Sequence, residues 1–217
     1  MSGSARDNIL KKIRMALEHP TPLPFPDSEG GEPVFQPLRE DLEVAFAEQF
    51  THLQGKFIFC LNRVELLQQF ARLCYQNHWS RVYCAEEALR QELQLHKVYT
   101  DIATCEVAVT TCEALVARTG SILLSSAQNG RLPSVYAPIH VCVAWASQLV
   151  YDIPEALERV RQRYHPSFPS LVTLASGPSR TADIEKTLVV GVHGPKEVYC
   201  LVVEEEAVPA AAPVSPE

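Results

Sequence analysis

Between residues 38 and 110 two hydrophobic periods take turns, and that alternation limits the folds open to the chain more than any other feature. Leu38–Leu53 has a helical period, Lys56–Leu61 is a short apolar strand, and Arg63–His78 is helical again with Val64, Leu67, Phe70, Ala71 and Cys74 along one stripe. Arg81–Ala85 then reads as strand, Glu86–Leu95 as helix, and Glu106–Thr110 as a valine-rich strand apolar on both faces. Strands without polar alternation, each followed by a helix, belong to a parallel sheet covered on both sides. The reading is therefore α/β, a mostly parallel Rossmann-like sheet flanked by helices. Apolar residues make up 47% of the 217, enough to fill one sizeable core.

After Thr110 the regularity is lost. Glu113–Ala117 offers at most a helical turn, and Gly120–Ser125 and Ile139–Trp145 read as strands around the turn-rich Gln128-Asn129-Gly130-Arg131. Pro154–Tyr164 reads as a helix with proline in its first turn, where a missing N–H costs nothing, and Glu197–Val203 as a closing strand. Outside this domain, taken as residues 38–204, residues 1–19 hold an amphipathic helix with Ile9, Leu10, Ile13 and Leu17 on one stripe. Residues 20–37, with six prolines and Gly30-Gly31, form a linker, and the acidic, proline-containing residues 205–217 form a disordered tail.

Composition excludes several roles. A net charge of −7 argues against a nucleic-acid module, which rests on a basic face. No apolar run reaches the length of a membrane span. Seven cysteines, none at CxxC spacing, exclude an iron–sulfur or zinc site built by this chain, and no flavin or nicotinamide motif is present. Most of the cysteines sit in apolar runs such as Val141-Cys142-Val143 and read as small buried hydrophobes. Their odd number, without a secretory signal, favours a reducing cytoplasm, the expected location.

Polar chemistry concentrates in three places. Gly177-Pro178-Ser179-Arg180-Thr181-Ala182-Asp183-Ile184-Glu185 bends and then reads as the start of a helix near Ser179 or Thr181. Its hydroxyls and acids suit an N-cap, whereas the Arg180 cation suits an anion held at that helix end; both readings stand. Gly191-Val192-His193-Gly194-Pro195 sets one imidazole in a tight turn, either structural or a general acid–base. Thr119-Gly120-Ser121 precedes an apolar strand, and Arg131-Leu132-Pro133-Ser134-Val135-Tyr136-Ala137-Pro138-Ile139-His140 leads into another. Loops at strand ends are where open α/β sheets gather ligands, although the P-loop lysine and the Rossmann glycine triplet are missing.

Together, and in this order, these blocks resemble the LutC/YkgG lactate-utilization family of single LUD domain proteins, over roughly residues 40–204. The chain departs from that pattern at Arg118, where members carry an acid, and at Ser121, where threonine is common. The resemblance implies a fold similar to the NagB/RpiA/CoA-transferase group. It also implies a component of L-lactate oxidation to pyruvate, working with two iron–sulfur partner proteins that hold the clusters this chain lacks. On that reading His193 and Arg180 are the catalytic candidates. Thr119, Gly120, Ser121, Arg131, Ser134, Ser179, Arg180, Thr181 and Asp183 line a substrate cleft for lactate or pyruvate, and no metal is bound. Two other functions stay open: an independent enzyme on a phosphorylated sugar, folate or CoA-type substrate, and a non-catalytic assembly or regulatory protein docking through residues 4–18.

Overall fold

A computed structural model describes residues 5–18, 41–97, 99–130, 132–182 and 188–204. The residues read as linker (20–37) and tail (205–217), together with Arg131 and Asp183, lie outside this set. The chain divides into two units, Met1–Pro37 and Leu38–Glu217. The first contains helix α1 (Ala5–Leu17), with Asp7 in its first turn and Arg14 in its last, each matched in sign to the helix dipole. Its stripe residues Ile9, Leu10 and Ile13 are exposed.

In the second unit the elements follow in chain order. Helix α2 (Leu42–His52), β1 (Lys56–Cys60), α3 (Arg63–Gln76), β2 (Val82–Tyr83), α4 (Glu87–Glu92) and β3 (Val107–Thr110) form the regular part. Next come β4 (Ala114–Val116), β5 (Ser121–Ser125), α5 (Ser126–Asn129), α6 (Pro133–Tyr136), β6 (Ile139–Trp145), β7 (Leu149–Val150) and α7 (Ile153–Tyr164). The chain closes with β8 (Val172–Ala175), β9 (Arg180–Ala182), β10 (Leu188–Val190) and β11 (Glu197–Val203). Local chemistry sets the helix starts. Asn62 accepts the Glu65 N–H at 3.0 Å while the Glu65 carboxylate accepts the Leu61 N–H at 2.8 Å, and Asp152 caps α7 by accepting the Ile153 N–H at 2.6 Å.

Two sheets carry the domain. The central sheet is wholly parallel, in the order β1-β11-β6-β3-β2, as the continuously apolar strands require. The second has the order β7-β4-β5-β8, with β5 antiparallel to both β4 and β8. Leu66 and Phe70 of α3 and Leu89 of α4 pack on one face of the central sheet. The other face packs against Phe46 and Phe50 of α2 and against Leu115, Ile122 and Leu124 of the second sheet. Ala156 and Val160 of α7 cover the outer face of that sheet. The layers thus run helix, sheet, sheet, helix.

Two readings change. Glu113–Ala117 is mainly strand, because Ala114–Val116 finds a hairpin partner in β5, a pairing that local propensity does not announce. The buried stripe of α3 runs through Leu66 and Phe70, while Val64 is exposed, since the stronger apolar face turns to the sheet. Among the cysteines, all free, six are buried and Cys74 is half-buried. Burial raises the thiols of Cys60 and Cys84 to about 11. Cys112, Cys142 and Cys200 lie together between the sheets, Cys142 and Cys200 in direct register. Among the described residues no helix is long and apolar enough to cross a membrane.

Candidate functional site

The segment Thr119-Gly120-Ser121 is built for close approach to α2. Gly120 has φ +58°, and a Cβ there would lie 2.5 Å from the Phe50 nitrogen and 2.6 Å from the Gln49 carbonyl carbon. Only glycine satisfies both constraints. Thr119 Oγ1 donates to Ser121 Oγ at 2.8 Å, and Ser121 Oγ lies 2.6 Å from Ser176 Oγ, so these hydroxyls satisfy one another. Gly177, at φ +77°, presses on the Leu53 carbonyl oxygen at the C-terminal end of α2, and the Arg180 guanidinium donates to that same oxygen. A cation at a helix C-terminus is favourable. Arg118 pairs with Asp152 at 2.7 Å, and its hydrogen bond draws the Asp152 carboxyl below its usual range.

The helix expected to start near Ser179 or Thr181 is instead strand β9, antiparallel to β10 with Arg180 opposite Val190 and Thr181 opposite Val189. The Leu188-Val189-Val190 run supplies a partner whose β-branched residues favour pairing, and a cap signal cannot reveal a partner several residues away. Ser179 is held from both sides: its N–H donates to Pro195 O and its carbonyl accepts the Gly191 N–H, each at 2.9 Å. A Cβ on Gly194 would come within 2.9 Å of Ser179 Cβ.

This packing opens His193 onto a cleft of about 520 Å³, walled by Val135, Tyr136, Pro138 and Val192, with Lys196 at its side. Tyr136 and Val192 are 57% and 54% exposed, and His193 and Lys196 are exposed. The floor is fixed where the Lys196 N–H donates to Pro138 O at 2.7 Å, immediately before β11 and β6. The cleft therefore lies at the amino ends of two central strands, not at the carboxyl ends where such sheets more often bind ligands. The structure brings His193 to the segment after Ser134, which sits half-buried in α6, and brings Arg180 to the Thr119–Ser121 loop at the end of α2. Imidazole, ammonium and phenol around an open cleft can bind a small anion and move a proton.

Sequence reasoning missed a buried carboxylate. Glu113, whose side chain is 2% exposed, accepts from Tyr164 Oη at 2.7 Å, from Arg163 Nη1 at 3.0 Å and from Ser125 Oγ. The only signal was a glutamate interrupting the apolar stretch between Thr110 and Val116. Nearby Glu86 accepts the Thr111 N–H at 2.7 Å and the Thr111 hydroxyl, and burial raises its carboxyl above the ordinary range. His140 is 0% exposed; its Nε2 lies 2.8 Å from Thr110 Oγ1, its Nδ1 has no partner among the described residues, and burial lowers it to about 4. Among the described residues no group of three or more His, Cys, Asp or Glu could hold a metal ion.

A parallel central sheet flanked by helices and backed by a second sheet defines the class by its fold, α/β. A crystal structure of a DUF162 family protein from Deinococcus radiodurans has the same fold: TM-score 0.56 at 19% identity, covering 77% of this chain and 99% of that one. The profile of the LUD domain matches residues 45–203, and the chain belongs to the LUD domain family. The resemblance to LutC/YkgG proteins holds as well. Lactate utilization protein C of Deinococcus radiodurans is 34% identical over 54% of each chain, and that of Bacillus subtilis is 36% identical over 44% of this chain and 42% of its own. The uncharacterized protein YkgG of Escherichia coli is 34% identical over 40% of this chain and 38% of its own. The matched stretch spans about half the length of these relatives, or less.

Proposed function

We propose that this chain is a substrate-binding or accessory component of a cytoplasmic system that oxidises L-lactate to pyruvate, with iron–sulfur proteins as partners. The observation that carries the reading is the cleft in which His193, Lys196 and Tyr136 meet between apolar walls. The names of its relatives support the pathway. In this reading the Lys196 ammonium pairs with the substrate carboxylate, the task first assigned to Arg180, and Val135 and Val192 face the methyl group. Oxidation of lactate releases two electrons and two protons. His193 accepts the hydroxyl proton, the proton of the broken Cα–H bond leaves to solvent, and the iron–sulfur partners, when bound, would supply the acceptor for the two electrons. Isothermal titration of the full chain with L-lactate and pyruvate is expected to show binding that falls about tenfold or more in Lys196→Ala and in His193→Ala. Unchanged affinity in both variants would remove the site from the cleft.

The volume of about 520 Å³ favours one second reading, a larger phosphorylated or CoA-type ligand. Thermal shift with sugar phosphates and CoA esters, set beside lactate, decides between the two.

A further inference from the structure

We infer that Arg180 is a positioning residue: by holding the end of α2 it fixes the turn that carries His193, so the shape of the cleft depends on where α2 sits. The inference rests on the cleft reading above for its ligand, and on geometry for everything else. Two groups converge on one oxygen, the Leu53 carbonyl: the Arg180 guanidinium donates to it, and the Cα of Gly177 packs on it without room for a Cβ. Leu53 is the C-cap of α2; its N–H donates to the Gln49 carbonyl at 3.1 Å, and the next N–H, of Gln54, donates to the Thr51 carbonyl at 2.8 Å. That end of the helix is thus tied both to its own last turn and to the 177–180 segment.

From this anchor the link to His193 is short and has no loose joint. Arg180 lies opposite Val190 in the β9–β10 pair, one residue before Gly191. The Gly191 N–H donates to Ser179 O, and the Ser179 N–H donates to Pro195 O, each at 2.9 Å. The turn that presents His193 is therefore bonded at both ends to the residue preceding Arg180. Gly194 packs on the Ser179 side chain, and Gly191 packs on the side chain of Lys196, the second polar group of the cleft. Close-packed units of this kind move as bodies and do not deform locally. A displacement at Leu53 therefore reaches His193 and Lys196 together. Arg180 does not line the cleft itself, which separates its role from that of a ligand-gripping cation.

The test uses the full chain and aromatic proton–carbon NMR, with the His193 ring signals assigned by their loss in His193→Ala. Arg180→Ala is expected to shift the His193 ring signals in the absence of ligand and to weaken lactate or pyruvate binding roughly fivefold. Arg180→Lys, which keeps a donor for Leu53 O, returns both towards wild type. Gly177→Ala, which pushes on the same oxygen, shifts the same His193 signals, and it keeps the test alive should Arg180→Ala fail to fold. His193 signals unmoved in both folded variants would overturn the inference. Loss of lactate binding by the wild type would defeat the functional proposal while leaving the ring-signal comparison to decide this one.

Discussion

The polar groups trapped between and beside the two sheets and those around the cleft are drawn from the same residue types, yet they end in opposite states. Inside, the Glu113 carboxylate takes three donors, and His140 keeps its Nε2 against Thr110 with no exposed surface. At the amino ends of β6 and β11, His193, Lys196 and Tyr136 are exposed along an open cleft. Where a buried polar group is matched it fixes packing, because removing its partner leaves an uncompensated cost; where it faces solvent it is free to take a ligand. Density of chemical groups is therefore a poor guide to a site in this protein, and accessibility a better one.

Three measurements can break or sharpen that contrast. The largest effect is expected from Glu113→Ala, which strips Tyr164, Ser125 and Arg163 of their common acceptor; stability should fall by about 4 kcal/mol in urea unfolding. The Arg163 side chain is 54% exposed and recovers water, which holds the loss below the upper end for buried pairs. A loss under about 1 kcal/mol would show that the interior network is dispensable.

Acid comes next. His140 is lowered from 6.5 to about 4 by burial, so between those values the unfolded chain binds a proton that the native chain refuses. Its contribution is complete above about pH 6.5 and is lost progressively as pH falls towards 4, by about 3 kcal/mol in all. Urea titrations across that range should show a shallower acid slope in His140→Gln than in wild type; equal slopes would mean that another group titrates. The smallest effect on stability is expected from His193→Ala, within about 0.5 kcal/mol, because an exposed side chain leaves nothing buried behind. A larger loss would move His193 to the structural side of the comparison.

The central sheet was legible because its strands are apolar on both faces and its helices long enough to show a period, as Lys56–Cys60 followed by Arg63–Gln76 illustrates. In the second sheet Gly120–Ser125 was legible as strand β5, whereas β4 and β7 were not, since they have three and two residues and are strands only through pairing that local propensity does not announce. The same limit hid the Glu113 network, whose partners Arg163 and Tyr164 stand 50 and 51 positions further along. At the candidate site the sequence marked His193 and grouped Arg180 with it and with the Thr119–Ser121 loop, but it gave no sign of the bond from Arg180 to the Leu53 carbonyl. Nothing local to Gly177–Thr181 shows that the end of α2, 127 positions earlier at Leu53, comes to meet it.

The row of Cys112, Cys142 and Cys200 between the sheets also gives the molecule an internal clock. A thiol-reactive dye can reach those three sulfurs only when the two sheets part, whereas half-buried Cys74 marks the reagent's arrival at the surface. The rate at these three, read peptide by peptide so that buried Cys60, Cys84 and Cys105 are counted apart, set against the rate at Cys74 then measures how often the layers separate.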